Sequence, residues 1–244
     1  MSVFPALLLA SLLAAAPGAT ASPADEAGLT AAPDSEKVRE SENVLGRYVQ
    51  ASGKKVVRGI TMAAMFAGSL PKMGKSATVN ARRLITRDGE VNYEITDRRG
   101  DNTVWKELIL RYINGEMENA GKDNSKVAVT PENYKFKYKG ERERDGRIAH
   151  VFEVNPRKKR QGLFKGEVWI DAETALTVYE SGRFVKSPSV FLKKVQFSRE
   201  YAILDGLAVP KTMQTSIETR FWGLAQLDIQ FSDFHWDDPL FALN

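Results

Sequence analysis

From residue 56 onward, hydrophobic and polar positions alternate with a period of two through most of the chain, and the rhythm is densest over 163–185, LFKGEVWIDAETALTVYESGRFV. Two runs rich in Val, Ile, Thr, Tyr, Phe and Trp, 163–170 and 176–185, flank the polar break Asp171-Ala172-Glu173-Thr174-Ala175, a pattern that predicts a β-hairpin. The same alternation predicts strands at 62–67, 78–87 and 91–95, at 134–139 and 147–155, and at 193–203, 207–219 and 223–234. Asp88-Gly89, Asp145-Gly146 and Asp205-Gly206 fall between alternating runs, where a tight hairpin turn needs two residues tolerant of positive φ. Residues 62–67 are apolar on both faces, so this strand is expected to be buried on both sides.

Two segments break the period. Val38, Val44, Leu45, Tyr48 and Val49 recur at helical spacing, with Asp34 or Ser35 able to cap the start and Gly53 to end it. In 103–117, Val104, Trp105, Leu108, Ile109, Tyr112, Ile113 and Met117 form a wide apolar stripe. Asp101, Asn102 or Thr103 can cap that helix, and Gly115 weakens its end. These strands and two helices, without βαβ alternation, give an antiparallel α+β class.

Composition changes this picture in three places. Residues 1–21 carry no charged side chain; the apolar run 4–16 would span about 20 Å as a helix, short of a hydrocarbon core of about 30 Å. With Ala19-Thr20-Ala21 after it, the run reads as a cleaved secretory signal, followed by a leader over 22–35 and one domain over 36–244. The chain has no cysteine, which removes disulfides, thiol nucleophiles and a lipid-attachment cysteine, so the mature protein is expected to be unanchored in the periplasm or secreted. The formal net charge of +4 is concentrated over 135–165, where eleven Lys and Arg face four Asp and Glu. Arg157, Lys158, Lys159 and Arg160 head this patch, which suits an anionic membrane surface or an acidic partner; a solvated hairpin face would read the same way.

Candidate chemistry is sparse. The chain contains two histidines, His150 and His235. His150 sits mid-strand, and His235 stands with Asp233, Asp237 and Asp238, a cluster that serves turns more often than metals. No catalytic residues, metal or cofactor are expected. At 134–139 aromatics alternate with lysines and so occupy opposite faces of a strand, which prevents joint stacking of bases and neutralising of phosphates; nucleic acid is not expected as a partner. A wide twisted sheet curls, and a helix in the curl fills it or leaves a cavity, to which Met62, Met65, Met73, Met117 and Met213 would lend adaptable side chains.

The order of elements, the Tyr48-Val49-Gln50-Ala51-Ser52-Gly53 ending of the first helix and the Val168-Trp169-Ile170-Asp171 hairpin resemble the LolA-like family of outer-membrane lipoprotein-sorting carriers. Ala175 and Leu176 stand where the family's turn has Leu-Pro, and Arg82 and Arg83 lie in the strand of its early basic residue without the surrounding motif. The resemblance implies an incomplete β-barrel with helices over its concave face and a lipid or acylated protein as cargo. Met62, Phe66, Tyr93, Trp105, Leu108, Tyr112, Phe136, Trp169 and Phe197 are the apolar side chains expected to line the cavity of a monomeric carrier. A lipid sensor would use the same cavity and contact a membrane-associated or signalling partner through Arg157–Arg160. A lipid or glycan hydrolase would need converging carboxylates, of which alternation places few inward.

Overall fold

The computed structural model describes residues 33–52, 57–187 and 192–237. The expected signal segment, the leader as far as residue 32, Gly53 and Asp238 lie outside the described residues.

Helix α1 (Pro33–Ser52) is followed by β1 (Ile60–Leu70), a 3₁₀ turn (Pro71–Met73), β2 (Lys75–Ile85) and β3 (Val91–Gly100). A second helix, α2, occupies residues 102–119 and includes a π-helical turn, Trp105–Ile109. Then come β4 (Tyr134–Arg144), β5 (Arg147–Pro156), β6 (Phe164–Asp171), β7 (Thr177–Phe184), β8 (Leu192–Leu204), β9 (Leu207–Thr219) and β10 (Leu224–Trp236). All ten described strands belong to one antiparallel sheet in the order β3-β2-β1-β10-β9-β8-β7-β6-β5-β4. Each of the ten coincides with one of the alternating runs read from the sequence. Pairing of β1 with β10 joins the first three strands to the meander of the last seven, while β3 and β4 remain as edges. The sheet is an open, incomplete barrel.

The turns follow their local chemistry. Asp145-Gly146 and Asp205-Gly206 both have positive φ at the two central positions, as a two-residue hairpin requires. Asp88-Gly89 does not; only Gly89 is left-handed, within a wider loop closed by Gly89 N–H donating to Thr86 O. In the hairpin between β6 and β7, Asp171 accepts from Thr174 N (2.8 Å), Thr174 Oγ1 (2.7 Å) and Arg147 Nη1 (3.0 Å), and Ala175 takes a left-handed φ of 57°.

Both helices lie on the same face of the sheet, each over its own half. Under α2, Met62, Phe66, Val79, Ile109 and Leu227 belong to one buried cluster. Under α1, Val44, Tyr48, Tyr134, Phe152, Phe164 and Phe197 form another. Arg47 of α1 donates to Ala172 O (3.1 Å) and Glu173 O (2.8 Å), tying that helix to the β6–β7 turn. β1 is not buried on both faces as expected. Its inward row from Ile60 to Leu70 is buried, whereas the outward row is partly exposed, with Met65 at 41%.

Candidate functional site

The inner face beneath α2 brings apolar packing and buried charge into one place. Asp101 caps the helix by accepting from Thr103 N (2.7 Å) and Val104 N (3.2 Å), and Lys75 Nζ lies 3.2 Å from the same carboxylate, fixing the start of α2 to β2. The backbone amides and Lys75 hold Asp101 below the usual carboxylate range against the opposing effect of burial. From that anchor, Val104, Leu108, Ile109, Tyr112 and Ile113 point at the sheet and are buried. Met117, expected to continue the stripe, is 39% exposed, and Glu116 occupies the inward position instead.

Glu116 meets Arg83. The inward row of β2 runs Ala77, Val79, Ala81, Arg83, Ile85, so strand alternation aims the guanidinium into the interior, where it is 4% exposed; Arg82 points outward to Glu94. Arg83 Nη2 contacts Glu116 Oε1 at 2.5 Å, its Nε donates to Tyr93 OH at 3.1 Å, and its Nη1 lies 3.5 Å from Met62 Sδ. Tyr93 in turn donates to the second oxygen of Glu116. Burial disfavours the charge on Arg83, and Glu116 more than restores it. Burial first, then Glu116, raises the Tyr93 and Tyr112 phenols well above their ordinary value. The Phe66 ring makes edge-on contacts with both tyrosines at 5.8 Å.

A second buried ion pair lies on the same face but wholly within the sheet. Glu180 of β7 and Arg199 of β8 are cross-strand neighbours 3.5 Å apart, and Tyr201 donates to Glu180 at 3.1 Å. Burial raises the Glu180 carboxyl, with Arg199 opposing. Both guanidiniums, Arg83 and Arg199, oppose the upward shift of the Tyr112 phenol that burial and Glu116 produce.

The nine side chains expected around one cavity are divided among three places. Met62, Phe66, Leu108 and Tyr112 are buried together beneath α2, with Tyr93 and Trp105 packed against them. Phe197 lies in the α1 half, and Phe136 packs against that cluster. Trp169 is on the opposite face with Ala149 and Val151, its ring 5.5 Å from the Arg142 guanidinium and 5.6 Å from that of Arg144. This corrects its assignment to the cavity. Val168 and Ile170 face α1, so the residue between them must face away. A groove of about 930 Å³ also opens on the outer face, lined in part by Thr61, Met65, Asn80, Arg82 and Gln230.

The basic cluster is partly structural. Arg157 donates to Pro131 O (2.7 Å) and Tyr134 O (3.1 Å), and Arg160 to Lys126 O (3.0 Å), holding the segment that leads from α2 into β4. Lys158 and Lys159 are exposed. His150 is buried with its Nδ1 3.0 Å from Tyr138 OH and 3.5 Å from Glu141. Glu40, Glu141 and His150 are the one group of three potential metal ligands among the described residues. Burial, with Glu40 and Glu141 close by, pushes Tyr138 up to about 12.

No family model and no curated protein matches the chain. Among solved structures it is similar to a DUF1329 family protein from Desulfovibrio piger, at TM-score 0.41 and 12% identity over 83% of this chain and 94% of that one. It is similar to a LolA superfamily protein from Nitrosomonas europaea, at TM-score 0.39 and 10% identity over 81% of this chain and 93% of the other. A third is an outer membrane lipoprotein-sorting protein domain from Vibrio parahaemolyticus, at TM-score 0.39 and 12% identity over 82% and 94% of the two chains.

Proposed function

We propose that this protein is an exported, non-catalytic carrier that takes an acyl chain, or the acyl part of a lipoprotein, between α2 and the inner face of the sheet. The observation that carries this reading is the construction of α2. An apolar stripe covers half of an open barrel, yet the helix is joined to β2 by one buried ion pair, Arg83–Glu116, near its end and by the Asp101 cap at its start. A helix anchored near its start and near its end over an apolar floor can lift without unfolding the sheet, and its π-helical turn at Trp105–Ile109 is a distortion that recurs at functional sites. An acyl chain burying about 12–16 methylenes gains on the order of 10–13 kcal/mol gross. Association costs of at least about 4 kcal/mol leave at most about 6–9 kcal/mol, an affinity from tens of micromolar to just below micromolar, suited to a cargo that must be released.

Export rests on the apolar run and the Ala19-Thr20-Ala21 site, and N-terminal sequencing of the mature protein should begin at Ser22. No helix among the described residues is long and apolar enough to cross a membrane. Lys158 and Lys159, with Lys135, Lys165 and Arg183 on the outward face of neighbouring strands, offer a basic strip for an anionic membrane or an acidic delivery partner. Mass spectrometry of lipids retained by the purified protein tests the carrier reading. Recovery of no acyl species, together with no displacement of a fluorescent fatty-acid probe, would overturn it.

A further inference from the structure

We infer that the acyl site selects amphiphiles with an anionic headgroup, which seats on Arg83 by taking the place of Glu116. This rests on the carrier reading and adds to it the class of headgroup and the event that frees α2.

The two buried ion pairs of the inner face differ in one respect. Glu180 and Arg199 are both strand residues, paired across β7 and β8, and move together with the sheet. Glu116 and Arg83 belong to different elements, so the anion that compensates the Arg83 guanidinium is carried by the helix that must move. A lid that needed only packing would gain as much from an apolar residue at 116, because a buried ion pair seldom outperforms well-packed hydrophobic side chains. Lifting α2 alone strips Arg83 of its counter-charge in a low-dielectric interior, which is costly. An incoming carboxylate or phosphate removes that cost.

The donor geometry fits such an exchange. A guanidinium presents five N–H groups in one plane and recognises carboxylate or phosphate in a bidentate manner. Nε is taken by Tyr93 OH and Nη2 by Glu116, while Nη1 faces the Met62 thioether at 3.5 Å, a weak acceptor. An anionic headgroup can therefore occupy Nη2 and Nη1 together and receive the Tyr93 hydroxyl that Glu116 gives up. Its chain would then run over Met62 and Phe66, the floor now covered by Leu108 and Tyr112. A neutral amphiphile of equal length offers the same apolar burial and no replacement for Glu116. The site therefore discriminates by charge.

The test compares palmitate, 1-palmitoyl lysophosphatidate and hexadecanol as displacers of a neutral naphthylamine probe, using the mature protein and the Glu116→Gln and Arg83→Gln variants. Both anions should bind the wild type at least about tenfold more tightly than the alcohol, a difference worth about 1.4 kcal/mol. Glu116→Gln should tighten the anions selectively by removing their competitor, and Arg83→Gln should abolish the preference. Anion and alcohol binding equally to the wild type would overturn the headgroup inference and leave the carrier reading in place. Binding of none of the three would overturn both. Preference for one anion over the other identifies the headgroup. Because the wild-type comparison needs no substitution, it decides the matter even if a variant fails to fold.

Discussion

Gly68 of β1 and Val104 of α2 pack so closely that a Cβ on the glycine would stand 2.8 Å from a valine methyl and 3.2 Å from Cγ1 of Ile109. Both neighbours are β-branched and stiff at χ1, so neither can step aside cheaply. This contact sets how low the first turns of α2 lie on the sheet.

Gly68→Ala should therefore raise the N-terminal part of α2 and cost about 1–3 kcal/mol, the usual penalty for overpacking. Urea unfolding measures the loss. In the carrier reading the same variant should exchange a fluorescent acyl probe faster than the wild type in stopped flow, because its lid starts partly lifted. Unchanged stability would mean that α2 does not rest on Gly68.

Acid should destabilise the protein partly through Asp171. Burial acts to raise its carboxyl, but hydrogen bonds from Thr174 and the ion pair with Arg147 win, leaving it below the ordinary carboxylate value. A depressed folded-state value means that the stabilisation is present above the unfolded value, about 3.9, and is lost as pH falls through the lower folded one. Asp171→Asn should cost about 1.5–3 kcal/mol near neutrality, the worth of hydrogen bonds to a charged group, and should flatten the acid limb of stability against pH. An acid limb as steep as that of the wild type would refute the assignment.

Trp169→Ala should cost about 3–5 kcal/mol, since the indole is only 9% exposed, packed against Val151 and Tyr179 and flanked by Arg142 and Arg144. It should leave ligand affinity unchanged, because the side chain is across the sheet from α2. A loss below about 1 kcal/mol in the urea midpoint would mean that the indole is not buried. A large fall in affinity of the folded protein would place a ligand on the outer face.

Local rules carried most of the fold into the sequence. Strict alternation at Tyr134–Lys139 and two Asp-Gly turns fix strands and register because a one-residue slip would invert every side chain. The face taken by Trp169 was not legible: Val168-Trp169-Ile170 is apolar throughout and has no polar member to mark the outside. Glu116, and the burial of Arg83 against it, were missed for a related reason. Charged residues are rarely buried unless paired, and the two partners are 33 positions apart in the sequence. The available signal was positional. Arg83 falls in the apolar row Ala77, Val79, Ala81, Ile85, and Glu116 continues Leu108, Ile109, Tyr112 and Ile113 at three- and four-residue spacing.

Leu108 decides whether α2 is a lid or plain core. It is buried at the centre of the helix's inward stripe, in the same cluster as Met62 and Phe66. Leu108→Glu would place a carboxylate over that apolar floor. Unpaired there, it disfavours the closed state, and against a bound acyl chain it should weaken binding by several kcal/mol. A core-only helix predicts a different outcome: global stability falls and the folded fraction keeps its affinity, since the ligand never touches α2. Denaturant melts and fluorescent fatty-acid titration on the same samples separate these effects. Lost affinity in protein that is still folded assigns α2 to the ligand. Lost stability with affinity intact makes it a structural filler of the open barrel and moves the cargo elsewhere.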